Sequence, residues 1–140
     1  MSNRPVLLSL SQSIEQDRSG YYGALKLGQR SNEITPWIVW FSKTLIHAQK
    51  EVEKQIEFTL KTARLFSGVQ DRLNERQLKV LRRMLKEGPA GFKGGMTAKK
   101  YIAMTGAAKA TATRDLQGLV QANVFIPSGG GRSVCYQVNL

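Results

Sequence analysis

The chain predicts a mainly α-helical protein that closes on a small β-hairpin. Three observations carry this. Apolar positions recur at helical spacing over residues 5–73, and three shorter amphipathic stretches follow over 74–121. Residues 124–140 then switch to alternation, with Val134, Tyr136, Val138 and Leu140 following Gly129, Gly130 and Gly131. Two short helical patterns hinged at Thr105 and Gly106, then a glycine-tipped hairpin with a basic flank, are the order of a winged helix-turn-helix. The expected organisation is therefore a helical part with a long connecting helix over 1–73, and a winged helix-turn-helix domain with a small β-wing over 74–140.

The elements follow in order. Residues 5–18 read as a helix with Leu7, Leu10 or Ser11, and Ile14 on one face, broken or capped at Ser19 and Gly20. A second helix covers YYGALKLGQR, aligning Tyr21, Tyr22, Leu25 and Gly28, and residues 29–35 are turn-like. Thr35 and Pro36 make a good helix start, since proline tolerates the first helical turn. WIVWFSKTLIHAQ is apolar almost all round, which predicts a buried helix with Trp37, Trp40 and Phe41 enclosed. It runs on without a strong breaker, with Leu45, Val52, Ile56, Leu60 or Thr59, Ala63 and Phe66 at helical spacing, to an end near Ser67 and Gly68 or a kink there and an end at Leu73. Glu57 and Lys61 form a favourable i,i+4 pair.

In the second part, Asn74 with Gln77 three residues on is a capping-box start. Leu78, Leu81, Met84 and Leu85 are expected inside, with Arg76, Lys79, Arg82, Arg83 and Lys86 outside, and Gly88-Pro89 stops the helix. Phe92 is expected to pin the loop PAGFKGG to the core. Thr97 caps the next helix, which buries Tyr101 and Ile102 and ends at Gly106. The third helix, roughly 108–121, turns Ala112, Leu116, Leu119 and Val120 inward. SGGGR is a hairpin tip, because glycines supply the positive φ angles of a tight turn.

Charge is uneven. Residues 1–73 hold 10 basic and 7 acidic residues, a net of +3; residues 74–140 hold 11 and 3, a net of +8, and the two sum to the formal +11. A basic surplus confined to one domain is the footprint of a phosphate-binding surface. Other chemistries are poorly served. The single histidine, His47, has no second ligand or catalytic partner in the sequence pattern, and no Cys-x-x-Cys, phosphate-cradling loop or nucleophile elbow occurs. No catalytic residue, metal ligand or cofactor is expected within these 140 residues. No apolar run approaches the roughly 20 residues of a membrane span. The one cysteine, Cys135, cannot form an internal disulfide and reads as a buried thiol, which makes a reducing cytoplasm the default.

The third helix carries the candidate binding face: Lys109, Thr111, Thr113, Arg114 and Gln117. Short hydroxyls allow close approach to phosphates and thymine methyls, and arginine and glutamine can read base edges. A solvated helix face is the bland alternative, but such faces more often carry Glu and Lys at i,i+4. Arg132, beside the glycine tip, is the candidate wing contact to duplex DNA, with a solvent-exposed turn arginine as its alternative.

PVLLSLSQSIEQDRSGYYGALKLGQRSNEITPWIVWF resembles the segment that follows the catalytic motif in Fic (filamentation-induced-by-cAMP) family proteins, and the C-terminal half resembles the winged helix that many bacterial Fic proteins carry after their helical core. YYGAL and ITPWIVWF carry the likeness, which covers essentially the whole chain. The resemblance implies a parent protein adenylyltransferase using ATP, of which this chain is the C-terminal portion. The family's H-P-F-x-[DE]-G-N-G-R loop is absent, so these residues alone are expected to be inert, with the catalytic portion of the same protein as a partner. By resemblance, Tyr21 and Tyr22 match a tyrosine pair near the nucleotide, and Gln29 lies roughly where a polar nucleotide contact occurs; helix packing with hydroxyls at the surface is the other reading of the tyrosines. Ala108 departs from the serine cap often found in winged helices of this type.

The function expected is a DNA-binding regulatory module of a bacterial Fic protein. The alternative is a winged helix that binds a protein or a second protomer as a homodimer.

Overall fold

The computed structural model describes residues 7–30 and 33–140, except for the side chains of residues 7–9 and of Arg132. It is mainly helical, with six α-helices and one two-stranded antiparallel sheet among the described residues, and it divides into two compact units, Met1–Ile56 and Glu57–Leu140.

The first unit contains α1 (Leu7–Gln16), α2 (Arg18–Arg30) and the opening part of α3 (Thr35–Val69). The expected contributions of Pro5 and of the Leu7 side chain lie outside the described residues. The break between α1 and α2 falls at Asp17, not at Ser19 and Gly20, which are helical. Asp17 explains the shift: its Oδ1 accepts the Gly20 amide at 3.1 Å and its carbonyl accepts the Tyr21 amide at 3.0 Å, so it caps α2. A Cβ at Gly20 would stand 2.1 Å from Asp17 Oδ2, so a larger residue there would displace the capping carboxylate.

α3 opens at Thr35 with Pro36 in its first turn, as the sequence predicts. The expected enclosure of its apolar stretch does not occur. Trp37, Trp40 and Phe41 are only half-buried, and Ile38 (47 %), Val39, Leu45 and Ile46 (54 %) are exposed. The physical reason is one of supply: two short helices offer too little apolar surface to surround a helix that is apolar on every side.

The second unit starts with the last part of α3, which ends at Val69. Its inward face is Phe58, Leu65, Phe66 and Val69; the expected Ile56 and Leu60 are each 52 % exposed. These contacts are why the unit begins at Glu57, whereas the sequence division at 73/74 follows the end of the helical pattern. Glu57 and Lys61 pair at 2.9 Å.

α4 (Glu75–Leu85) begins with the full capping box: Asn74 Oδ1 accepts the Gln77 amide at 2.9 Å, and Gln77 Oε1 accepts the Asn74 amide at 3.0 Å. Val80, Leu81, Met84, Leu85 and Gln77 are buried; Val80 takes the place expected for Leu78, which is half-buried. A short 3-10 turn at Gly88–Ala90 ends the segment. Phe92 does hold the following loop. It packs against the core, with Arg83 and Lys100 5.3 and 4.9 Å from its ring centre, and Lys100 Nζ donates to the carbonyls of Lys93 (3.0 Å) and Gly95 (2.8 Å).

α5 (Ala98–Thr105) is capped by Thr97, whose hydroxyl accepts the Lys100 amide at 3.2 Å, and it ends on Gly106 in the left-handed region, φ 70°. α6 (Lys109–Gln121) buries Ala112, Asp115, Leu116 and Leu119, with Val120 half-buried. β1 (Phe125–Ser128) and β2 (Cys135–Val138) then pair, Phe125 opposite Val138 through Ser128 opposite Cys135. Met96 and Tyr136 add an isolated bridge of two 2.8 Å hydrogen bonds, tying the residue just before α5 to β2.

Tyr136 and Val138 lean on the core, whereas Leu140 is exposed. Cys135 is half-buried, not buried as expected, because it lies on the rim of a two-stranded sheet, close to Gly95. The core gathers Val80, Leu81, Met84, Met96, Tyr101, Leu116, Leu119, Val124 and Phe125, all essentially inaccessible.

Candidate nucleic-acid interface

The candidate site is built from the turn between α5 and α6, the solvent face of α6 and the hairpin tip. Gly106 reverses the chain, and Ala108 opens α6 in extended backbone with no side-chain hydrogen bond to the first turn. The amides of that turn have no side-chain cap from Ala108, and Lys109 follows it. Successive residues of α6 are rotated by about 100°. On that wheel Ala110, Thr113, Arg114, Gln117 and Gln121 form one exposed face, with Lys109 at its N-terminal edge.

The structure places the five expected residues of this helix as follows. Lys109, Thr113, Arg114 and Gln117 are exposed, and Thr111 is half-buried at the margin. Lys109, Arg114 and Gln117 make no side-chain hydrogen bond or ion pair among the described residues. Thr113 donates its hydroxyl to the Lys109 carbonyl at 3.0 Å, which leaves its oxygen able only to accept. The Arg132 side chain lies outside the described residues; its backbone sits in the 3-10 turn Gly131–Ser133 at the hairpin tip. Gly129 makes that tip possible, with φ 81° and a would-be Cβ 2.8 Å from the Ser133 carbonyl oxygen. Sequence reasoning missed Gln121, which lies one turn beyond Gln117 on the same face.

The one acid of α6 does not lie on that face. Asp115 is 5 % exposed and turned into the protein. Its Oδ2 accepts Arg76 Nε at 2.9 Å and the Tyr101 hydroxyl at 2.9 Å; its Oδ1 accepts Asn74 Nδ2 at 3.1 Å and Arg76 Nη2 at 3.5 Å. Its backbone carbonyl accepts Gln77 Nε2 at 2.9 Å. Arg76 therefore faces α6, not solvent as expected, although 42 % of its side chain remains exposed. A signal was present in the sequence: 112, 115, 116 and 119 are spaced as one inward face, so the acid at 115 occupies a core position and needs a buried partner.

Burial pushes the Asp115 carboxyl up, but the hydrogen bonds from Arg76, Tyr101 and Asn74, with the Arg76 charge, outweigh it and hold the group below its ordinary value. The Tyr101 hydroxyl is raised, first by burial and then by the adjacent carboxylate, so it stays a donor. The Arg76 guanidinium is held charged by its hydrogen bond to Asp115.

These pairs shape the field. Of the three acids in residues 74–140, Asp115 is neutralised by Arg76 and Glu87 pairs with Arg83. Lys79, Arg82, Lys86, Lys93, Lys99, Lys109 and Arg114 have no ion pair among the described residues. A cleft of about 210 Å³ bordered by Phe58, Met84, Phe92 and Val138 is below the ~300–1,000 Å³ of small-molecule sites. Among the described residues no group of three or more His, Cys, Asp or Glu side chains could hold a metal ion, and no helix is long and apolar enough to cross a membrane.

In the first unit, Tyr21 is half-buried and Tyr22 exposed, their ring centres 5.3 Å apart. Tyr21 also lies 5.6 Å from Trp40, whose Nε1 donates to Asp17 Oδ2 at 2.9 Å. Gln29 is exposed in the last turn of α2. The tyrosines thus belong to an aromatic cluster that packs α2 on α3. His47 is exposed on α3.

No protein-family model and no curated protein matches the chain.

Proposed function

We propose that residues 74–140 form a winged helix-turn-helix that binds duplex DNA, with α6 in the major groove and the hairpin tip along the backbone. One observation carries the reading. The solvent face of α6 presents Lys109, Thr113, Arg114, Gln117 and Gln121 without an acid, because the helix's one carboxylate is turned inward and neutralised. Positive charge with hydrogen-bonding side chains at helical spacing suits phosphates and base edges together. The order of elements supports it, since the hairpin follows α6 directly and is tied through Tyr136 of β2 to Met96, just before α5.

The test is fluorescence anisotropy with promoter and random duplexes across a salt series. Lys109→Gln should weaken binding to every sequence and reduce the salt slope by about one unit, as loss of one phosphate contact does. Arg114→Ala or Gln117→Ala should change sequence preference instead. Absence of binding at low salt would transfer the reading to a protein-interaction module.

The first unit favours a protein contact. Tyr22, Leu27, Ile34, Ile38, Val39, Leu45 and Ile46 are exposed apolar residues in one small unit, beyond the scattered surface hydrophobes of an ordinary domain. This accords with a Fic-type helical core as its partner and with a parent adenylyltransferase, a reading that rests on the YYGAL and ITPWIVWF segments. The DNA-binding reading does not depend on it.

A further inference from the structure

We propose that Asp115 is a positioning residue: it fixes the rotation of α6 about its own axis and so determines which side chains address the bases. This rests on the DNA-binding reading of α6. The apolar contacts of the helix decide which face is buried but constrain its rotation less sharply than directional bonds do. Ala112 and Gly118 are small, and Leu116 and Leu119 pack without directional preference. Hydrogen bonds are directional, and residue 115 collects them from two other elements. Asn74, Arg76 and Gln77 reach it from the start of α4, and Tyr101 from α5.

The start of α4 is itself fixed by the reciprocal capping box of Asn74 and Gln77, so the donors are held before they bind. Tyr101 is 0 % exposed and cannot swing away. The consequence for reading bases is geometric. A roll of about 10° about an axis roughly 6 Å from the side-chain tips moves Arg114 and Gln117 by about 1 Å. That displacement is enough to lose a hydrogen bond to a base edge, whereas a flexible lysine on a phosphate absorbs it.

The inference separates discrimination from attraction, and the experiment reads both. The full-length chain, Asp115→Asn and Tyr101→Phe are each titrated into two duplexes of equal length. One is selected from a random pool by the unmodified chain; the other is a random sequence. The titrations are run across a salt series, at a temperature where melting curves show each protein folded.

Both variants should lose the preference for the selected duplex, Asp115→Asn on the order of tenfold, the loss of about one base contact. Random-duplex affinity and its salt slope should be kept. Tyr101→Phe is the control for electrostatics, since it loosens the same carboxylate without changing net charge. Retained preference in both variants overturns the inference while leaving DNA binding intact. Equal weakening on both duplexes also overturns it, because that is the mark of a merely structural role. If the unmodified chain binds neither duplex, the DNA-binding reading falls first and this inference with it.

Discussion

Asp115→Ala tests whether the polar cluster behind α6 is one unit or a set of separate contacts. The substitution removes the acceptor of four side-chain hydrogen bonds at a site 5 % exposed. Its donors are not equal in what they lose. Arg76, 42 % exposed along its side chain, and the exposed Asn74 can turn to water. Tyr101 cannot; a buried hydroxyl left without a partner costs about 1–3 kcal/mol. Adding the charge-assisted bonds themselves puts the total at about 2–4 kcal/mol, below the 3–5 kcal/mol of a fully buried pair because the surviving charge is partly solvated.

The sharper consequence concerns the double variant. Once the carboxylate is gone, Tyr101→Phe removes the stranded hydroxyl and should be nearly neutral or stabilising, although the same change in the unmodified chain should cost about 1.5–3 kcal/mol. The coupling between the two should therefore exceed about 1 kcal/mol. Urea unfolding should be followed by amide NMR signals of α4, α5 and α6, since both tryptophans, Trp37 and Trp40, lie in the first unit and report on it instead. Additive effects of the two substitutions would refute the argument.

Three further outcomes are expected. Because the folded-state value of Asp115 is depressed, its contribution is complete above the unfolded carboxyl value of about 4 and is lost as pH falls through the folded one; acid titration of unfolding should be shallower in Asp115→Asn. Ala108→Ser should supply the missing cap of α6 and raise stability by about 1 kcal/mol, read as a higher urea midpoint with an unchanged slope. Gly95→Ala should destabilise strongly. It forces a side chain into φ 62°, at about 1–2 kcal/mol, and sets a Cβ 3.0 Å from both Cys135 Cβ and the Tyr136 carbonyl, at about 1–3 kcal/mol more; a melting point within a few degrees of the parent would contradict it.

The parts of the fold legible in the sequence are those fixed by neighbours a few residues apart. The Asn74–Gln77 box, the Thr97 cap, the Gly106 reversal and the glycine tip each span only a few consecutive residues, so residue type alone announces them. The polar cluster was hidden because its partners come from distant elements: Asn74 and Arg76 lie 41 and 39 positions from Asp115, and Tyr101 lies 14 away. A charged residue on a short helix defaults to solvent unless its spacing is checked against the apolar face. The first unit misled in the opposite sense. Trp37, Ile38 and Val39 announce burial by composition, but burial needs a partner surface, and a partner is not written in the helix itself. The outward face of α6 was readable from its 3.6-residue period; its freedom from negative charge became visible only with the orientation of Asp115.

The bridge between Met96 and Tyr136 has a mechanical consequence. Its paired hydrogen bonds clamp β2, one pair short of the tip end of the ladder, to the segment that launches α5, and the ladder itself ends at Ser128 opposite Cys135. What projects beyond is a cantilever of six residues, three of them glycine, anchored at one end only. Lengthening or shortening that overhang would change how far it reaches without disturbing anything behind the clamp. Under the proposed function, reach along a nucleic-acid backbone could then drift from one sequence variant to another while the helix that selects the target stays in place.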